Sequence, residues 1–88
     1  LTSISFSYNE QIGNAGSVVL ANALPPSIRE IGLVDCGICD QGGKAMSDWM
    51  QSAPNLRMIC MEQNSFSKEL KMEFQEFRKA HPGILVIV

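Results

Sequence analysis

Four side chains in this chain have the chemistry for a reactive site. Cys36-Gly-Ile-Cys39 is a C-x-x-C pair, Cys60 is a third thiol, and His81 is the single histidine. A C-x-x-C lying after a strand and before a helix suits thiol–disulfide exchange, because the helix N-terminus lowers a thiol pKa. The same four side chains would make a complete metal ligand set in number. Their spacing is unlike compact zinc modules, which draw on two close ligand pairs. His81 stands before Pro82 with no nucleophile or carboxylate placed beside it, so it is a loop residue rather than a general base. Gly13, Gly16, Gly42 and Gly43 form no phosphate loop, since no G-K-S/T follows them. No catalytic residue, metal site or cofactor is assigned, and the chain is read as a non-enzyme.

The thiols carry a second message. Three cysteines are an odd set. A secreted mini-domain would use an even, denser set as staples. Free thiols in a reducing, cytoplasmic setting are expected. The chain has 88 residues, 45% hydrophobic and 18% charged, with a net charge of −2. That balance favours one packed domain over disorder. It disfavours nucleic acid, which needs clustered Lys and Arg. No apolar run approaches the roughly 20 residues that span a bilayer, so no membrane partner is expected. The chain opens LTSISFSYNE, without Met or a signal-peptide pattern, and is read as a piece of a longer protein.

The elements that hold these side chains repeat. Residues 1–27, 28–55 and 56–83 can be laid over one another, and 84–88 restarts the pattern. Leu1, Ile28, Leu56 and Ile84 open the units, and Ile4, Ile31, Ile59 and Ile87 follow. Then come Phe6, Leu33 and Met61, then Asn9, Cys36 and Asn64, then Ile12, Ile38 and Phe66. Later columns are Gly16, Gly42 and Leu70, then Leu20, Met46 and Phe74, then Ala23, Trp49 and Phe77. Each unit closes on proline: Pro25 and Pro26, Pro54, Pro82. The early half of each unit alternates as a strand does, and the later half has helical spacing. This predicts strands over 3–7, 30–34, 58–62 and 84–88, and helices over 15–24, 41–52 and 68–80. Asn14, Asp40 and Ser67 are expected as N-caps.

The pattern L-x-x-L-x-L-x-x-N/C-x-L, followed by a helix in a unit of about 28 residues, resembles the leucine-rich repeat. The G-x-x-x-L-x-x-x-L helix resembles the ribonuclease-inhibitor-like class. Leu70 departs from the Gly of that pattern, and Arg78 stands where an apolar residue is usual. The resemblance implies a single α/β domain over 1–88. It would be a right-handed β-α solenoid, with short parallel strands inside and helices outside. It implies buried Asn9 and Asn64 pairing backbone groups of neighbouring turns. It also implies a non-catalytic protein-interaction module that binds an unidentified protein partner on its concave strand face.

Strand residues pointing away from the core would line that face. By the expected register these are Ser3, Glu30, Met58 and Val86, then Ser5, Gly32, Cys60 and Val88, then Ser7, Val34 and Glu62. Tyr8, Asp35 and Gln63 lie just beyond. The candidate contact residues are Tyr8, Glu30, Val34, Asp35, Met58, Cys60, Glu62 and Gln63. Tyr8 offers an aromatic anchor, and Glu30, Asp35 and Glu62 an acidic patch for a basic partner. The apolar run 84–88 is a second candidate surface, since an unpaired edge strand invites a second copy or flanking repeats.

Overall fold

The computed structural model describes residues 1–88. Strands and helices alternate: β1 (Ser3–Ser5), α1 (Gly13–Ala23), β2 (Glu30–Gly32), α2 (Asp40–Gln51), β3 (Met58–Cys60), α3 (Lys68–Ala80) and β4 (Leu85–Ile87). The strands form one parallel sheet in the order β1-β2-β3-β4. Crossovers of one hand that always step the same way along the sheet put all three helices on one face. The core lies between the layers. Ile31, Ile59 and Val86 enter it from the strands, Met46 and Met50 from α2, and Leu70, Phe74 and Phe77 from α3, all buried. Phe66 and Phe74 meet at 5.5 Å between ring centroids, tilted by 55°.

The strands are three residues long, shorter than the alternation predicts. The ladder runs a little further, with the Phe6 N–H donating to Gly32 O at 2.8 Å and the Leu33 N–H to Cys60 O at 2.7 Å. The chain then turns. Tyr8, Asp35 and Gln63 take φ values of 66°, 53° and 62°. The left-handed region costs a non-glycine residue roughly 1–2 kcal/mol. Its recurrence at one column of all three units marks a common turn off the sheet.

Asn64 holds that turn against the preceding unit. Its amide oxygen accepts from the Cys36 and Ile38 N–H groups at 3.0 and 3.1 Å. Its amide nitrogen donates to Leu33 O at 2.8 Å and Met61 O at 3.0 Å. One side chain thus satisfies two donors and two acceptors that a turn beside a core would otherwise leave unpaired. Cys36 fills the same column one unit earlier. Its Sγ lies 3.2 Å from Phe6 O, a weak thiol version of the same backward reach. Asn9, expected to be buried, is exposed, and its side chain bonds only Phe6 O and Ser7 O of its own unit. No earlier strand stands beside β1 to meet its amide oxygen.

Only Ser67 caps its own helix, accepting from the Leu70 N–H at 3.1 Å. Asn14 lies inside α1, and its Oδ1 accepts from the Cys39 and Gly42 N–H groups at 2.9 and 3.0 Å, capping α2 instead. Asp40 is the first residue of α2, and its carboxylate accepts from the Ser67 N–H at 2.7 Å. The cap-type residues of units one and two therefore tie each unit to the next.

The helices pack unevenly. Ser17 is fully buried and donates to Gly42 O at 2.9 Å, so α1 and α2 run in close contact. A Cβ on Gly42 would lie 2.8 Å from Ile38 Cγ2 and 2.9 Å from Ser17 Cβ. In unit three Leu70 replaces the glycine of that column, and α2 and α3 touch over a shorter stretch.

The fourth strand is shifted by one residue from the expected register. Val86, not Ile87, stands beside Ile59, and Leu85 and Ile87 pair with Met58 and Cys60. Ile84 still begins its turn as Ile28 and Leu56 do, through an N–H bond to the residue three back. The path from that turn to the inward strand position is one residue shorter than in the earlier units. Because side chains alternate, the slip reverses the faces. Leu1, the first member of the opening column, is 74% exposed.

Two outcomes follow. Asn64→Ala should cost about 2–3 kcal/mol in chemical denaturation, as buried backbone groups lose their partners, while Asn9→Ala should cost less than about 1 kcal/mol. The Ser67 hydroxyl and N–H hold the Asp40 carboxyl below its ordinary pKa. The folded value lies below the unfolded one, so the contact stabilises above the ordinary carboxylate value and fades as pH falls through the folded value. Asp40→Ala should therefore be less stable than the parent at neutral pH, with the gap closing on acidification.

Candidate partner-binding face

The sheet face opposite the helices carries Ser3, Glu30, Met58 and Leu85 in one row, and Ser5, Gly32, Cys60 and Ile87 in the next. Leu85 and Ile87 thus replace the expected Val86 and Val88, because of the one-residue slip. Val86 is 4% exposed and belongs to the core.

A hollow of about 330 Å³ sits on this face over β1, β2 and β3. Its walls include Tyr8, Glu30, Val34, Met58 and Cys60, five of the eight predicted contact residues. Its floor depends on Gly32. A Cβ there would lie 2.9 Å from both the Ser5 and Ser7 hydroxyl oxygens. The Ser7 hydroxyl is fixed by accepting from the Val34 N–H at 3.0 Å. The expected register placed Ser5, Gly32 and Ser7 on this face, but they were not singled out as contacts. The alternation Ser3, Ser5, Ser7 against a glycine in the facing column was the available signal.

Asp35 and Tyr8 line a second hollow with Asn9, Glu10 and Gln11. Tyr8 therefore stands between the two, 70% exposed. Gln63 is exposed at its left-handed turn and lines neither hollow. No Lys or Arg lines either one.

The electrostatics of the face are negative. Burial first, then the Glu62 and Glu30 carboxylates, push the Cys60 thiol above its ordinary pKa. Glu62 Oε1 is shielded from water and accepts no hydrogen bond. The arrangement suits a partner that brings N–H or cationic donors beside an apolar or aromatic group.

The reactive residues of the sequence do not meet. Cys36 is fully buried, Cys39 is exposed, and all three thiols are free. His81 caps the end of α3, stacked on Phe77 at 4.1 Å. No group of three or more His, Cys, Asp or Glu comes together as a metal cluster. No helix is long and apolar enough to cross a membrane.

Alkylation near pH 8 should therefore proceed in order: Cys39 first, Cys60 more slowly, and Cys36 only on unfolding, as read by peptide mass mapping. Glu62→Gln removes a negative charge beside Cys60, lowers its pKa, and should raise its rate a few-fold. No protein-family model matches the chain, and no curated protein matches it.

Proposed function

We propose that the chain is a leucine-rich-repeat solenoid segment, of the ribonuclease-inhibitor-like kind, that works as a non-catalytic protein-interaction module. The single observation carrying the proposal is the open sheet face. It presents Tyr8, Met58 and the Gly32 hollow beside the Glu30 carboxylate. Solenoid repeats commonly use such extended surfaces to bind proteins. The parallel sheet, the repeated left-handed turn and the backward-reaching Asn64 support the fold half of the proposal. A protein partner with a basic segment and an apolar or aromatic anchor fits this surface. Tyr8 is the anchor on this side, since aromatic residues often dominate interface energy.

A second reading is assembly end to end. The run 84–88 presents Leu85, 39% exposed, but Arg78 reaches across that edge, its Nη1 3.5 Å from Val86 O. The β1 end has no such cover, and the Asn9 amide oxygen there makes none of the bonds that Asn64 makes. The β1 end is thus the stronger candidate for association.

A displayed peptide library selected on the folded chain tests the first proposal. Enriched sequences should be rich in Lys or Arg, and Glu30→Lys with Glu62→Lys should weaken them at least tenfold, while Lys68→Glu on α3 leaves them unchanged. An enriched set in which no member is weakened by the two sheet-face changes contradicts it.

A further inference from the structure

The helix side of the molecule holds a larger open groove. It has a volume of about 550 Å³ and lies between α2 and α3. Its origin is local. Where Gly42 lets α1 and α2 approach, Leu70 occupies the matching position of α3 and packs on the start of α2 at Gly43. A Cβ on Gly43 would fall 2.6 Å from Leu70 Cδ2. Beyond this contact the helices part, and the gap runs from Glu69 to His81 on one wall, with Ser47 and Gln51 on the other. At 1.5 Å per residue that wall is roughly 18 Å long, a little over three helical turns.

Two features define the groove's chemistry. Its apolar part is Met72, 57% exposed, above Phe77 and Ala80. Its charged part is Glu69, Glu73 and Glu76, spaced i, i+4 and i+7 on one flank of α3. No Lys or Arg lines it, and Lys44 shares an adjoining hollow with Glu69 and Glu73 without forming an ion pair to either. The molecule's one ion pair joins Glu76 to Lys79 at 3.4 Å, with both side chains well exposed. Such a pair is weak and readily exchanged. Glu69 and Glu73 have no ion-pair partner.

We infer that this groove is a second docking site, distinct from the sheet face, for a basic amphipathic helix of about three turns. The length of the groove suits an elongated element. The carboxylate stripe matches Lys or Arg repeated at i, i+4 and i+7, and Met72 accepts an apolar anchor between them. Helix-in-groove recognition uses the same spacing.

The test is fluorescence anisotropy with a labelled synthetic peptide of about three to four turns. It carries Lys on one face and Leu with one Trp on the other. The whole chain should bind it saturably, with affinity falling as salt rises. Glu69→Gln with Glu73→Gln, and separately Met72→Ser, should each weaken binding at least tenfold. These positions are exposed, and circular dichroism checks that both variants stay folded. The same titrations are run on a chain carrying Glu30→Lys with Glu62→Lys, which closes the sheet face to basic peptides. Saturable binding should persist there and still be lost with the groove changes, which separates this site from the first. The inference is overturned if binding does not saturate, if the groove variants bind like the parent, or if an acidic peptide of the same pattern binds equally. It is also overturned if only the sheet-face variant loses affinity, or if sedimentation shows copies of the chain occluding the groove.

Discussion

The structure depends on one constraint: turns that leave a sheet beside a core must have their backbone polar groups paired. Between units two and three a single amide meets it. Asn64 takes two N–H groups and gives two N–H bonds, joining Leu33, Cys36 and Ile38 to its own turn. Each net hydrogen bond is worth only about 1 kcal/mol, but leaving such groups unpaired costs more. The position thereby ties the turn after β3 to the turn after β2. The inward row of Ile4, Ile31, Ile59 and Val86 and the outward rows of the sheet are set by the parallel backbone ladder that runs up to these turns.

The helices are tied by the same device in weaker form. Asn14 supplies the cap that α2 lacks, and Asp40 holds the Ser67 turn that begins α3. The helix starts of units two and three each donate to a polar side chain of the unit before. Packing then differentiates the junctions. A buried serine against a glycine brings α1 and α2 together, whereas Leu70 and Phe66 fill the space at the next junction. One substitution in a repeating column thus gives the helix side a groove that strict repetition would not.

The alternation of elements was legible because period two gives way to helical spacing in every unit. The core columns were legible too, since Leu33, Met61, Met46 and Phe74 are all buried. The slip of β4 was not. In ILVIV every residue is apolar, so nothing in the run sets which side chain points inward. Cap identities were legible as residue types, but not their targets. Asn14 lies 25 to 28 residues from the groups it bonds, and local spacing carries no such information. The left-handed turns were hidden because Tyr8 and Gln63 are not residues that favour that region. Of the sheet-face residues, Tyr8, Glu30, Val34, Met58 and Cys60 came together as the register implied. The hollow's floor depends on the missing side chain of Gly32, a feature of packing rather than of pattern.

Native-state amide hydrogen exchange tests the central constraint most directly. The Cys36 and Ile38 N–H groups donate only to the Asn64 amide oxygen, across the junction of two units. Both N–H groups should exchange as slowly as those of the buried strands, opening only with global unfolding, and Asn64→Ala should release them to the rates of exposed loops. Fast exchange of both in the parent chain would contradict the account, because the turn would then not be held by its neighbour.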